Sequence, residues 1–131
     1  MVVDTSALLA ILLAEPEAVA LSLAIEADDV RLISVVSLLE ANVVIEFRAG
    51  PAGAKELDDL VQHLGLTTVT FDAEQGKAAH TAYRHYGKGR HPARLNLTDC
   101  CSYALAITSG EPLLFKGNDF SQTDIPKVDW Q

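Results

Sequence analysis

Short apolar runs alternate along this chain with longer segments in which apolar residues recur at the helical period. The short runs have the length of buried strands, and the longer segments have the length of helices. The order strand, helix, strand favours parallel pairing of the two strands, because the chain must cross one face of the sheet before the second strand pairs with the first. The pattern therefore predicts an α/β domain around a mostly parallel sheet of four to five strands.

The same runs give bounds for each predicted element. The predicted strands are residues 2–3, 32–36, 67–71 and 112–115, with a fifth near 127–130. The predicted helices are residues 6–14, 16–27, 37–49, 54–64, 73–86 and about 98–109. Pro16 suits a first-turn position, whereas Gly50 and Pro51 stop the third helix. Residues 87–96 are glycine-rich and basic and are predicted to form a loop.

Length and composition exclude several classes of protein. A chain of 131 residues suits one domain with one core, so we expect a single domain over residues 1–131. Apolar residues make up 49% and charged residues 21%, which excludes a disordered chain. No stretch reaches the roughly 18 apolar residues of a membrane span, so we expect a soluble, cytoplasmic protein. Cys100 and Cys101 are adjacent, which suits neither a disulfide nor a metal-binding pair, and we expect both to be reduced.

Charge is distributed unevenly. The formal net charge of −8 repels nucleic acid on average. However, four of the ten Lys and Arg residues fall between residues 84 and 94, where Tyr83 and Tyr86 could stack on bases. This segment is either a solvated surface loop or a contact for RNA phosphates. The candidate RNA-binding residues are Arg84, Lys88, Arg90, His91 and Arg94.

Four acids interrupt apolar sequence where a strand passes into a helix, where a buried helix begins, or just after a strand. They are Asp4, Glu40, Asp99 and Asp119. In a parallel α/β sheet such positions gather at the carboxyl ends of the strands, where ligands usually bind. We therefore expect the four carboxylates to share one cleft.

Each acid also has a purely structural interpretation. Asp4 could cap a helix, Ser37 with Glu40 fits a capping box, and Asp99 could interact with a helix dipole behind a cap at Asn96 or Thr98. Asp119 alone is typical of a turn. As a set, however, close carboxylates repel one another unless a cation neutralises them. Oxygen ligands without His or Cys indicate Mg²⁺ or Mn²⁺.

Other catalytic chemistries fit the sequence less well. Residues 87–90 lack the spacing of a phosphate-binding P-loop, and His80 and His85 lack that of zinc ligands on a helix. No serine is flanked by the glycines of a hydrolase elbow. Asp4 lacks the second aspartate of a phosphatase-like Asp-x-Asp-Thr motif.

Taken together, the acidic motifs resemble those of the PIN-domain family, in a form common among its VapC toxins. The opening motif of the family resembles Met1-Val2-Val3-Asp4-Thr5-Ser6-Ala7-Leu8, and its second motif resembles Leu39-Glu40-Ala41. The third motif resembles Leu95-Asn96-Leu97-Thr98-Asp99-Cys100, followed by Tyr103-Ala104-Leu105-Ala106. The fourth motif resembles Leu113-Leu114-Phe115-Lys116-Gly117-Asn118-Asp119-Phe120. The resemblance covers almost the whole chain in the right order.

This resemblance implies a three-layer α/β/α sandwich and a metal-dependent endoribonuclease, the toxin of a toxin–antitoxin pair. It assigns Asp4, Glu40, Asp99 and Asp119 as catalytic, metal-binding acids that use Mg²⁺ or Mn²⁺, and Ser6 as a supporting hydroxyl. It also implies RNA products with a 5′-phosphate and a 3′-hydroxyl. Thr98 departs from the glycine that the resemblance leads us to expect before the third acid.

The resemblance also implies partners: the RNA substrate, a cognate VapB-type antitoxin and a second copy of the chain. Two apolar helix faces are candidates for a homodimer contact, although both could equally be core. The first comprises Leu8, Ile11 and Leu12, and the second comprises Val43, Val44 and Phe47. The alternative function is a catalytically silent interaction module with the same fold, and the presence of all four acids argues against it.

Overall fold

Strands and helices alternate along the chain, which the computed structural model describes from residue 1 to residue 131. The strands are β1 (Val2–Val3), β2 (Leu32–Ser34), β3 (Thr67–Val69) and β4 (Leu113–Leu114). The helices are α1 (Thr5–Leu12), α2 (Ala18–Glu26), α3 (Val35–His63), α4 (Ala73–Tyr86) and α5 (Leu97–Ser109). The predicted α/β class is confirmed.

All four strands are parallel, in the order β3-β2-β1-β4. From β1 the chain proceeds to β2 and β3 on one side and then returns to the other side for β4. The direction of strand order thus reverses beside β1, and such a switch point opens a crevice at the carboxyl ends of the strands. The predicted fifth strand is reduced to one isolated bridge between Leu113 and Lys127.

Side chains of the central strands alternate between the two faces of the sheet, as strand geometry requires. Val3 and Leu114 belong to one buried cluster, whereas their neighbours Val2 and Leu113 belong to another. The first cluster contains residues of α1, α2 and α3, and the second contains residues of α4 and α5. Helices therefore cover both faces, and the predicted three-layer sandwich is confirmed.

Three predicted helix starts differ from the structure by two or three residues, and capping explains that of α3. The hydroxyl of Ser34 accepts a hydrogen bond from the backbone N–H of Val36 at 3.2 Å, so Ser34 ends β2 and caps α3. Ser37 consequently lies buried inside the helix, and the predicted Ser37–Glu40 capping box does not form. Helix α2 begins at Ala18 after a cap at Glu17, so Pro16 precedes its first turn.

The predicted break at Gly50 and Pro51 is present within α3. Gly50 has φ 63° and ψ −155°, a conformation that glycine adopts without the penalty of a Cβ atom. Two helical segments therefore meet there, and the second begins at Pro51, three residues before its predicted start. None of the five helices is both long enough and apolar enough to cross a membrane.

Candidate active site

The four predicted acids lie at the carboxyl edge of the sheet. Asp4 directly follows β1, and its backbone N–H donates to the carbonyl of Leu114 in β4 at 2.9 Å. This bond places Asp4 at the switch point between the two strands. Glu40 lies on α3 after β2, Asp99 in the first turn of α5, and Asp119 in the loop after β4.

Asp4 is nearly inaccessible to solvent and is held by hydroxyl groups. Its Oδ1 accepts a hydrogen bond from the Ser102 hydroxyl at 2.6 Å. Its Oδ2 accepts from the Ser6 backbone N–H at 3.0 Å and from the Ser6 hydroxyl at 2.7 Å. The Ser6 hydroxyl in turn accepts from the Lys116 backbone N–H at 3.0 Å. Asp4 therefore both caps α1 and belongs to the acidic cluster.

The hydrogen bonds continue away from Asp4 into α3. Ser102 has one hydroxyl proton, which it gives to Asp4, so the Ser37 hydroxyl must donate to Ser102 at 2.8 Å. Thr5 donates to the Ser37 carbonyl at 3.1 Å. We call Ser6, Ser37 and Ser102 the serine network. It joins α1, α3 and α5 around one carboxylate.

Glu40 and Asp99 are connected through the start of α5. The Thr98 hydroxyl lies within hydrogen-bond reach of Glu40 Oε2 and, at 2.9 Å, of Asn96 Oδ1. Asn96 caps the helix by accepting from the Asp99 N–H at 2.8 Å, and Asp99 Oδ2 accepts from the Asn96 N–H at 3.0 Å. Thr98, which departs from the expected glycine, thus places a hydroxyl against the second acid.

Two of the four acids have a raised pKa. The pKa of Asp99 is raised to about 7, chiefly by burial and also by the charges of Asp4, Asp119 and Glu40, while the hydrogen bond from the Asn96 N–H opposes the shift. Burial also raises the pKa of Asp4, against the hydrogen bonds from Ser102 and Ser6. The four acids are therefore close enough to interact, and full ionisation of the cluster is unfavourable without a cation.

The donor set fits a hydrated hard cation better than a fully enclosed one. No three of the acid side chains converge closely enough to bind one ion directly as they stand. Asp119 is exposed and makes no side-chain hydrogen bond, and Glu40 and Asp99 each keep one carboxylate oxygen without a partner. Mg²⁺ normally keeps several waters and takes one or two carboxylates directly, which these oxygens can provide.

A cavity of about 340 Å³, which we call the acid cavity, contains groups of both charges. Asp99 and Asp119 line it together with Lys88 and Arg94 of the predicted RNA-binding set. Neither cation takes part in any ion pair of the structure. The amides Asn96, Asn118 and Gln122 complete the polar lining.

The other candidate RNA-binding residues lie outside this cavity. Arg90 and His91 line an adjacent hollow of the loop, and the His91 Nδ1 accepts from the Ala93 N–H at 3.0 Å. Arg84 is exposed on α4 and lines neither the acid cavity nor the adjacent hollow. The ring of Tyr86 is half-buried and packs against Tyr103 at 5.9 Å, so it is a boundary residue rather than a free stacking surface.

The backbone of the basic loop fixes the position of Arg94. Arg94 has φ 55°, a left-handed conformation that costs a non-glycine residue roughly 1 kcal/mol. Its N–H donates to the His91 carbonyl at 3.0 Å, and the N–H of buried Leu95 donates to Tyr86 at 2.9 Å. A Cβ atom on Gly87 would lie 2.3 Å from the Tyr83 carbonyl, so only glycine permits this close turn out of α4.

Sequence reasoning missed Ser102, Asn118 and Gln122. A signal for Ser102 existed, because it follows Asp99 by three residues and therefore shares its helix face. It is also a polar residue at the start of the buried run 103–106. Asn118 and Gln122 lie in a loop whose path the sequence does not define.

Comparison with known proteins agrees with this fold. The family model of the PIN domain matches residues 1–126. Ribonuclease VapC30 of Mycobacterium tuberculosis is 53% identical over 128 residues, covering 98% of both chains. Among solved structures, Mycobacterium tuberculosis VapC20 superimposes with a TM-score of 0.78 at 16% identity, covering 97% of each chain. A toxin–antitoxin complex from Klebsiella pneumoniae gives a TM-score of 0.68 at 17% identity, covering 94% of this chain and 92% of that one.

A parallel α/β fold with carboxylates at its switch point defines a small acidic-cleft enzyme scaffold, and both structural neighbours share that fold. The family match and the identity to VapC30 extend over nearly the full length. The chain therefore belongs to the PIN domain family and, within it, to the VapC ribonucleases.

Proposed function

We propose that this chain, acting as one domain over residues 1–131, is a divalent-metal-dependent endoribonuclease and the toxin of a toxin–antitoxin pair. Asp4, Glu40, Asp99 and Asp119 are its catalytic, metal-binding acids. One observation carries the proposal: Asp99, whose pKa is raised by burial and by the charges of the other three acids, shares a cavity with Asp119 and with the unpaired cations Lys88 and Arg94. Such a cavity is suited to a phosphodiester and a hard cation together.

In this proposal the cation lowers the pKa of a water and neutralises charge that develops on the phosphate. Glu40, Asp99 and Asp119 would hold the hydrated cation, one or two of them directly through their free oxygens and the rest through its waters. Asp4, fixed by hydrogen bonds from Ser6 and Ser102, contributes a buried charge at the switch point. Lys88 and Arg94, which line the acid cavity together with Asp99 and Asp119, bind the RNA backbone.

The proposal is tested by incubating the purified chain with single-stranded RNA in Mg²⁺, in Mn²⁺ and after chelation. We expect cleavage in either metal, none after chelation, and products with 5′-phosphate and 3′-hydroxyl ends. Glu56, an exposed acid on α3 with no hydrogen bond, provides the control variant Glu56→Gln, which is expected to cleave normally. Cleavage that survives chelation would contradict the metal dependence, and absence of cleavage under all conditions would favour the silent interaction module.

Arg94→Gly is expected to weaken RNA binding without lowering stability. The substitution removes a cation from the acid cavity and relieves an unfavourable φ. We expect RNA affinity to fall about 10-fold near physiological salt, and the slope of log affinity against log salt to decrease by about one unit. Fluorescence anisotropy with labelled RNA, in an Asp99→Asn background that prevents cleavage, measures both.

The matched control for this prediction is Arg84→Gln, which removes an equal charge from exposed α4 outside the cavity. We expect a smaller loss of affinity for this variant. Equal losses for Arg84→Gln and Arg94→Gly would show that the loop acts only through net charge. A melting temperature lower in Arg94→Gly than in the wild type would contradict the strain assigned to Arg94.

We further propose a cognate antitoxin and a second copy of the chain as protein partners. Along α3, four exposed apolar residues recur every four positions and form one stripe: Val35, Leu39, Val43 and Phe47, the last 94% exposed. An exposed apolar face of this kind favours a protein contact. The other candidate face is less available, because Leu8 is completely buried and Ile11 and Leu12 are half-buried. A dimer mass by light scattering is expected for the chain alone, and a monomer mass would contradict the homodimer.

A further inference from the structure

A second cavity of about 250 Å³, which we call the tryptophan cavity, lies beside the loop that carries Asp119. Its walls include the aromatic rings of Phe115 and Trp130 and the polar side chains of Asn118, Ser121 and Lys127. We propose that this cavity binds one unpaired base of the RNA substrate, stacked on the indole of Trp130. The inference rests on the proposed ribonuclease function and specifies where the RNA strand runs.

The tryptophan cavity adjoins the acid cavity. Asn118 lines both cavities, and Asp119 is the next residue in the chain. A strand whose phosphate lies at the acids can therefore place a neighbouring nucleotide on the other side of Asn118. Gly117, which lines the tryptophan cavity, has φ 98° and nothing within 4 Å of the position of a Cβ atom, so the backbone beside Asn118 is open to a ligand.

The lining matches the chemistry of a base better than that of an anion or an apolar side chain. A base has flat faces that stack on aromatic rings and polar edges that bond to amides and hydroxyls. The Lys127 ammonium donates only to the Ser121 carbonyl, at 2.9 Å, and is part of no ion pair, so it remains available to a phosphate. Asp129 in the wall disfavours an anionic group in the interior.

Trp130 is held in place before any ligand binds. One side of this half-buried residue packs against the core cluster formed with α1 and α2, while it also lines the cavity. A platform that is already ordered loses little conformational entropy on binding. By contrast, the larger cavity of about 540 Å³ lined by Val36, Phe71 and Leu97 is mostly apolar and better suited to a protein side chain.

Trp130 is the only tryptophan in the chain, so its fluorescence reports on ligands that reach this residue, which lines the tryptophan cavity and also a neighbouring hollow with Ala20 and Leu23. The non-cleaving Asp99→Asn protein is titrated with unlabelled single-stranded RNA of about eight nucleotides while tryptophan emission and acrylamide quenching are followed. Anisotropy of the end-labelled RNA gives the dissociation constant independently. We expect the emission change to saturate at that same constant, and bound RNA to protect the indole from acrylamide.

Substitution provides the second arm of the test. Trp130→Ala is expected to weaken RNA binding about 5- to 100-fold, the range for one stacked base, and Trp130→Phe is expected to restore part of the loss. Phe71→Ala, in the apolar cavity, is the control and is expected to bind RNA normally. A lower affinity in Phe71→Ala with normal binding in Trp130→Ala would assign the base to the other cavity and overturn the proposal.

The outcomes separate this inference from the function on which it rests. RNA that binds by anisotropy but leaves emission and acrylamide quenching unchanged overturns the base site and leaves the ribonuclease intact. A wild-type protein that neither binds nor cleaves RNA rejects the function itself. If Trp130→Ala fails to fold, the fluorescence arm still decides, because it uses the intact tryptophan.

Discussion

Asp99→Asn is expected to lower the rate of RNA cleavage at least about 100-fold and, at the same time, to raise the melting temperature of the metal-free protein. The activity is lost because Asp99 is the acid that interacts with all three of the others. The stability is gained because its charge is unfavourable in the folded state, where burial and neighbouring carboxylates raise its pKa to about 7. Thermal melts and an RNA cleavage assay check the two effects separately.

The size of the stability change depends on pH. An unfolded aspartate has a pKa of about 3.9, so between about pH 4 and pH 7 the folded state of the wild type binds the extra proton and loses stability as pH rises. The advantage of Asp99→Asn is therefore smallest near pH 4 and largest above pH 7. Mg²⁺ is expected to stabilise the wild type more than the variant. Cleavage at the same sites by both proteins would refute the catalytic assignment.

Ser102→Ala is expected to lower both stability and activity. It removes the hydroxyl that donates to Asp4 Oδ1 at 2.6 Å, and it leaves Ser37 without its acceptor. Both groups are buried, so we expect a loss of about 1–3 kcal/mol in the free energy of unfolding. Because this hydrogen bond also lowers the pKa of Asp4, cleavage is expected to fall about 10- to 100-fold and its pH profile to shift to higher pH.

Ser109→Ala is the matched control on the same helix. The Ser109 hydroxyl donates to the Leu105 carbonyl at 2.6 Å, but the residue is exposed and ends α5, whereas Asp99 lies in the first turn of that helix. We expect its effect on stability to stay within about 0.5 kcal/mol and its cleavage to be unchanged. A Ser102→Ala protein that is less stable but cleaves with the wild-type pH profile would show that the network supports only the fold.

The sequence predicts the element types well because burial imposes strong periodicity. Val2–Val3 and Leu113–Leu114 contain only apolar residues, since helices cover both faces of the central strands. Element ends were less predictable, because local caps compete for them. Ser34 and Ser37 look alike in the sequence, and only the course of the strand determines that the first of them caps α3.

The acids and the network around them differ in how visible they are in the sequence. Asp4 and Asp99 stand out because a charge within apolar sequence is rare without a role. Ser102 does not, because a helical serine near a helix start is common and its partner Asp4 is 98 residues away. Likewise, the density of basic residues predicts a loop of positive charge, but only the folded path of the loop determines that Lys88 and Arg94, and not Arg90, line the acid cavity.

Two of the acids also begin helices: Asp4 caps α1, and Asp99 completes the capping box of α5. An alanine scan of these positions would therefore confuse damage to the fold with loss of chemistry. Asparagine avoids the problem, because its side-chain oxygen can accept the same backbone hydrogen bond while the negative charge is removed. An inert version of this protein, made for trapping intact RNA in crystals, is better built by amidating these carboxylates than by truncating them.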